Sequence, residues 1–162
     1  MINTPIRYTD ENVESLGSTL RNLTDKLPIQ LLVSGSRIIT NPEYVKMILD
    51  NTLAVYKLKP HILISGGAKG VDRCAELWAK EHNITIKQVL PDWNKYGKRA
   101  GMIRNTEMLK MLSDRDALIS IWDGKSRGSK HMINQAIEHQ QKNLFIHDIY
   151  TTNLMIALPV YE

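Results

Sequence analysis

The sequence predicts an α/β protein: a Rossmann-like, doubly wound, five-stranded and mostly parallel sheet with helices on both faces. Three features of the 162-residue chain carry that expectation. Five short apolar runs are nearly unbroken rather than alternating, as strands buried on both faces require. Stretches of helical apolar spacing separate the runs, and strand–helix alternation builds a parallel sheet. Glycines and cations cluster just after the runs, where such a sheet places its ligands.

The elements follow in order. Residues 1–28 are expected to form an N-terminal helical appendage. Thr9 or Asp10 caps a helix to about Leu23, with Val13, Leu16, Leu20 and Leu23 on one face, and Pro28 ends it. The main domain, residues 29–149, opens with the run Gln30–Ser34 and the turn Gly35-Ser36-Arg37. Pro42 then starts a helix to about Lys57, since proline suits a first helical position. The second run, His61–Ser65, leads into Gly66-Gly67-Ala68-Lys69-Gly70 and a helix over Val71–His82 that buries Cys74, Leu77 and Trp78. The third run is Ile84–Leu90, followed by a polar loop from Pro91 to about Lys98 and a helix near Gly101–Leu112. The fourth, Ala117–Trp122, ends in Asp123-Gly124-Lys125-Ser126-Arg127-Gly128, and Ser129 is expected to cap a helix to Gln141. Leu144–His147 is the fifth run. Residues 150–162 read as a C-terminal tail that packs on the domain or on a partner.

Composition narrows the function classes. With 43% hydrophobic and 23% charged residues, the chain is an ordinary globular protein. No stretch reaches the ~20 apolar residues of a membrane span, and the opening MINTPIRYTDENVE lacks the apolar core of a signal peptide. The lone Cys74 cannot form an internal disulfide, which fits a reducing, cytoplasmic setting. The net charge of +4 is unevenly placed. Segment 92–104 sets Lys95, Lys98, Arg99 and Arg104 against Asp92, and segment 124–131 adds Lys125, Arg127 and Lys130. Those two loops hold more positive charge than the whole chain, so the remainder is net acidic. Such a distribution points to a local site for a small polyanion.

The turns after the runs share one edge of a parallel sheet. Glycines there let backbone approach a ligand closely, helix N-termini offer unpaired N–H groups, and Lys or Arg adds charge. Gly66-Gly67-x-x-Gly70 is not the dinucleotide fingerprint, and Gly124-Lys125-Ser126 lacks the earlier glycine of a P-loop, having Ile119 there. No metal-ligating, redox or serine-hydrolase motif is present, so no cofactor and no metal are expected. Trp93 could stack on a base or anchor its loop, and His131 reads as a helix-surface residue. Trp78 and Trp122 read as packing.

The stretches SGSR (34–37), ISGGAKGVDRCAELWAKEHNI (64–84), DWNKYGKRAGMIRN (92–105) and SRGSKHMINQA (126–136) resemble the YspA-like branch of the SLOG superfamily, which groups the Smf/DprA-type proteins with the LONELY GUY enzymes. The resemblance implies a Rossmann-like fold with a nucleotide pocket and a homo-oligomer, dimer or higher. It implies a first glycine motif that lays Gly66, Gly67 and Gly70 against the ligand. It makes Arg104 and Asn105 phosphate or sugar contacts, and Gly128 and Ser129 phosphate donors. Gly35, Ser36, Arg37, Asp72 and Trp93 complete the expected ligand-binding set.

Three functions compete. The first is binding of a nucleotide or nucleotide-derived small molecule, a nucleoside monophosphate or an ADP-ribose-like compound. The second is a phosphoribohydrolase or related N-glycosidase acting on nucleotides. The related hydrolases carry a glutamate where this chain has Met132, which weakens that reading and leaves Asp72, Asp123 and Arg104 as candidate catalytic groups. The third is single-stranded DNA binding through the 95–104 cations and Trp93. It ranks last, because the charge is mild and aromatics are few.

Overall fold

The computed structural model describes residues 29–150 and the backbone of residues 154–157. The appendage expected over 1–28 lies outside the described residues. Six strands form one sheet: β1 (Ile29–Gly35), β2 (Pro60–Ser65), β3 (Thr85–Gln88), β4 (Ala117–Trp122), β5 (Asn143–Asp148) and β6 (Leu154–Ala157). Their spatial order is β3-β2-β1-β4-β5-β6. The first five strands are parallel, and β6 runs antiparallel beside β5. The sheet therefore has one strand more than the five expected, drawn from the tail that the sequence pattern left unassigned. The remaining tail residues lie outside the described set.

The helices are α1 (Pro42–Val55), α2 (Val71–Glu81), the single turn α3 (Trp93–Tyr96), α4 (Ala100–Lys110) and α5 (Arg127–Glu138). The segment expected to be a polar loop after β3 is thus mostly helical. Asp92 accepts the Lys95 N–H and starts α3, and a 3-10 turn over Gly97–Arg99 hands the chain to α4. Asn41 caps α1 by accepting from the N–H groups of Glu43 and Tyr44, with Pro42 at the first helical position.

Alternation along the central strands divides the core into two layers. Leu31 and Val33 of β1, with Leu63, Ile119 and Ile121, pack beneath α1 and α2 against Val45, Leu49, Ala75 and Trp78. Leu32, Ile64, Leu118 and Leu144 face the opposite way, against Met108 and Leu109 of α4 and Met132 and Ile133 of α5. Both faces of β1 and β4 are therefore covered, which is why their sequences read as continuous apolar runs. Right-handed crossovers put α1 and α2 on one face and α4 and α5 on the other.

Strand order reverses between β1 and β4, which pair from Leu31↔Ala117 to Gly35↔Ile121. The neighbours are far apart in sequence, and a buried carboxylate fixes them at the lower edge. Asp116 Oδ1 accepts from the Gln30 backbone N–H (2.7 Å), and its Oδ2 accepts from Gln30 Nε2, Ser113 N and Ser113 Oγ. Burial alone would raise the Asp116 pKa, but these donors outweigh it and hold the carboxyl below its usual value.

Asp116→Ala strands those donors, so it should lower unfolding free energy by about 2–3 kcal/mol at neutral pH. Because the folded pKa is depressed, this contribution is present above the unfolded pKa and fades as pH falls through the folded one. Urea titrations of both proteins should give a large gap at pH 7 that narrows in acid.

Candidate functional site

The reversal of strand order leaves a cleft of about 220 Å³ above the carboxyl ends of β1 and β4. Four chain segments wall it. The end of β1 and the turn after it contribute Ser34, Gly35 and Arg37, and the turn after β2 with the head of α2 contributes Ala68 and Asp72. Lys98, Gly101, Met102, Arg104 and Asn105 come from the 3-10 turn and α4, and Ser126, Gly128 and Ser129 from the start of α5.

Arg104 is at the centre. The residue is only 8% exposed. Nη1 donates to the Gly66 carbonyl (2.6 Å) and Nε to Asn105 Oδ1 (3.2 Å). The other donors of the guanidinium fork remain for the cleft that the residue lines. Burial lowers the Arg104 pKa while the Asp72 carboxylate raises it and Arg37 lowers it further; a guanidinium stays charged throughout. Arg104 also walls a neighbouring cleft of about 270 Å³ with Leu90, Tyr96, Ile103 and Glu107.

The N-terminus of α5 is the second component. The helix starts at Arg127, with Ser126 and not Ser129 at the capping position, and Ser126 makes no side-chain cap bond. The reason is the preceding turn. Gly124 takes a positive φ of 76°, and Asp123 Oδ1 accepts from the N–H groups of Lys125 (3.0 Å) and Ser126 (2.7 Å), so the chain turns into the helix early. The first helical bond runs from Lys130 N–H to Ser126 O (3.0 Å). The N–H groups of Arg127, Gly128 and Ser129 precede it and lack intrahelical acceptors. No acidic side chain lies within this first turn. The Asp123 carboxylate sits just ahead of it, on the Lys125 and Ser126 N–H groups, and leaves the three N–H groups of the first turn free of it. A Cβ placed on Gly128 would meet nothing within 4 Å, so neither packing nor backbone strain explains a glycine there.

The first-motif glycines, expected against the ligand, are packed against other parts of the protein. A Cβ on Gly66 would fall 2.5 Å from Arg104 Nη1 and 2.9 Å from Asp72 Oδ2. Gly70, at a φ of 80°, lies under the Ser36 and Arg37 carbonyls, and a Gly67 Cβ would strike Leu90. None of the three lines the cleft, whereas Gly35 does. Ser36 and Asp123 also stand outside the cleft lining. Ser36 is fully buried, and its Oγ accepts the Asp123 N–H (3.0 Å), joining the ends of β1 and β4. Burial would raise the Asp123 pKa, but the Ser126 and Lys125 N–H groups and the Ser36 hydroxyl keep it low.

Asn105 lines the cleft with both amide atoms already engaged: Oδ1 by Arg104, Nδ2 by the Gly128 carbonyl (3.2 Å) and His131 Nδ1 (3.4 Å). These bonds link the Arg104 guanidinium to the start of α5. Trp93, half exposed, packs near Gly101 and lines neither cleft. Met132 is fully buried among the α5 core residues.

Asp72 is the one carboxylate among the lining residues. It is 6% exposed, and Oδ2 accepts from the Ala68 N–H (3.1 Å). Burial pushes its pKa up to about 6; Ala68 N–H, Arg104 and Arg37 pull it down, and Glu76 adds to the rise. Among the described residues, no group of three or more His, Cys, Asp or Glu side chains could hold a metal ion, and no helix is long and apolar enough to cross a membrane.

The model of the YspA, cpYpsA-related SLOG family matches residues 29–96, the stretch from β1 through α3. The Gene 61 protein of Mycobacterium phage D29 is 31% identical over 114 residues, covering 66% of this chain and 87% of that one. No solved structure matches the chain.

A carboxyl with a raised folded pKa stabilises the fold below its unfolded pKa and loses that contribution as pH rises through the folded value. The unliganded protein should therefore lose up to about 3 kcal/mol from Asp72 between pH 4 and 6. Asp72→Asn should be more stable than the parent at pH 7, with the difference vanishing near pH 4. Urea titrations across that range check it, and a variant no more stable at pH 7 would contradict the burial argument.

Proposed function

The chain belongs to the YspA, cpYpsA-related SLOG family, and from that premise we propose that it binds a phosphate-bearing nucleotide or nucleotide-derived small molecule in the cleft above β1 and β4. The observation that carries the reading is the uncapped start of α5, with its open Gly128, facing one cleft with Arg104, Arg37 and Lys98. Amide N–H groups at a helix N-terminus bind phosphate oxygens directly, and the helix dipole favours the charge. Arg104 adds a planar donor pair suited to two phosphate oxygens at once. Its geometry is held before any ligand arrives, since Gly66 and Asn105 fix the guanidinium. A pre-oriented donor loses less side-chain entropy on binding.

The family supports the nucleotide part of the reading, and the cationic cleft supports the phosphate part. Hydrolysis at this site would rest on Asp72, because Met132 is sealed in the core and the Asp123 carboxylate is occupied by its own turn. The family also supports a homo-oligomer, which light scattering coupled to size exclusion measures directly.

Titration calorimetry with AMP, CMP, GMP, UMP, ADP-ribose and inorganic phosphate tests the reading. At least one nucleotide should bind, and raised salt should weaken it. Gly128→Ala should leave thermal stability equal or higher, as alanine is favoured over glycine in a helix by roughly 0.5–1 kcal/mol. Its affinity for that nucleotide should fall about tenfold or more, because the added methyl stands where the phosphate approaches. No binding across the panel would overturn the proposal; unaltered affinity in the variant would remove α5 from it.

A further inference from the structure

A cleft built to attract anions contains one carboxylate that its cations do not neutralise by contact. Asp72 enters from the first turn of α2 and is over nine-tenths buried. Ala68 N–H engages Oδ2, while Oδ1 has no hydrogen-bond partner among the described residues. The charged and titratable groups that face it are Arg104 from α4, Arg37 from the turn after β1, and Glu76 one turn along α2. Both cations act across space: among the described residues, no ion pair within 4 Å joins either to Asp72, and the Arg104 Nη1 instead holds the Gly66 carbonyl. Ser120 Oγ, not Oδ1, is the side-chain atom sealed without a partner among the described residues, so it is a ligand filling the cleft that would strip Oδ1 of water. An acceptor desolvated and left unpaired is unfavourable, and its negative charge opposes a phosphate bound nearby. A ligand donor completing the acceptor would offset both penalties. A nucleotide's 5′-phosphomonoester, with its second pKa about 6, is mostly dianionic and lacks such a donor at neutral pH, but the sugar hydroxyls attached to it have one.

We propose that Asp72 accepts a hydrogen bond from a ribose hydroxyl of the bound nucleotide, so that the cleft selects 5′-phosphorylated ribosides over analogues lacking both the 2′- and 3′-hydroxyl groups. This deepens the nucleotide-binding reading and rests on it: phosphate at α5 and Arg104 anchors the ligand, and Asp72 reads the sugar. The chemistry is asymmetric. Removing the hydroxyls leaves a buried carboxylate unpaired beside a phosphate, and such a site rejects the shortened ligand more strongly than a merely apolar pocket would. The same contact makes recognition pH-dependent. A hydroxyl donating to the carboxylate favours its ionised form, so binding should strengthen as Asp72 loses its proton.

Calorimetry with AMP, CMP, GMP and UMP, their 2′,3′-dideoxy counterparts and inorganic phosphate tests this, on the parent and on Asp72→Asn. The parent should prefer the ribonucleotide by at least about tenfold, the scale of a hydrogen bond to a charged group. Asp72→Asn keeps an acceptor for Ala68 but removes the charge. It should weaken the ribonucleotide while leaving inorganic phosphate and the dideoxynucleotide bound as well or better, since repulsion is gone. A general loss of folding cannot produce that opposite movement, and melting curves verify the fold. The parent's gain in ribonucleotide affinity from pH 5 to 7 should exceed that of Asp72→Asn, which subtracts the phosphate's own titration. Equal binding of ribo- and dideoxynucleotides, or an unchanged preference in Asp72→Asn, would overturn the sugar-reading role and leave nucleotide binding standing. Binding of inorganic phosphate alone would overturn both, and retain only the anion site.

Discussion

An arginine only 8% exposed keeps its position only if its donors are matched and its charge is not stranded. Arg104 meets the first in part, through a carbonyl after β2 and its helix neighbour Asn105, and the second through the nearby Asp72 carboxylate. Its Nη1 reaches the carbonyl after β2, 38 residues away in sequence, and its Nε holds the Asn105 amide, which holds the Gly128 carbonyl 23 residues further on. One hydrogen-bonded path thus ties the end of β2, the middle of α4 and the first turn of α5. The cleft lies among these attachments. Its walls come from segments that share little sequence proximity, and the path through Arg104 fixes their spacing without a ligand.

Charge follows from the same arrangement. Arg37, Lys98 and Arg104 line the cleft with the unpaired N–H groups at the start of α5, so its field is positive. Asp72 runs against that field. Among the described residues only the Ala68 amide donates to it, and burial pushes its carboxyl toward protonation. Asp116 at the opposite edge shows what a purely architectural buried carboxylate looks like here: four donors converge on it, and its pKa falls. The two acids differ in provision rather than in burial. The one provided for holds β1 beside β4; the other sits in a cleft.

Much of the framework was legible in the chain because both faces of the sheet are covered. Gln30–Ser34 and Ala117–Trp122 read as strands since every residue must tolerate burial, and the observed strands contain them. The strand Leu154–Ala157 was not legible: it pairs at an edge, and an apolar tail four residues deep carries no periodicity that separates pairing from packing. The start of α5 was misread for a related reason. Ser129 satisfies the residue preference of a cap, but the Asp123 turn decides where the helix begins, and that turn depends on contacts of Asp123 with two downstream N–H groups. Residue identity predicts which side chains can cap, not which one the preceding chain delivers to the position.

Glycine shows most clearly where sequence and structure part. Gly35, Gly66, Gly70 and Gly128 all follow or adjoin a strand end, and as letters they carry the same implication of close ligand approach. Around the first three the space a side chain would take is filled from within: by Val71 and the Ile121 carbonyl at Gly35, by Arg104 and Asp72 at Gly66, and by the Ser36–Arg37 backbone at Gly70. These glycines let the protein approach itself. Around Gly128 the space is open, its φ is not in the left-handed region, and it sits inside a helix, where glycine is disfavoured. Among the described residues no contact and no backbone conformation calls for a glycine there. In the proposed reading the second glycine turn is the surface that meets the ligand, while the first is packed against Arg104 and Asp72.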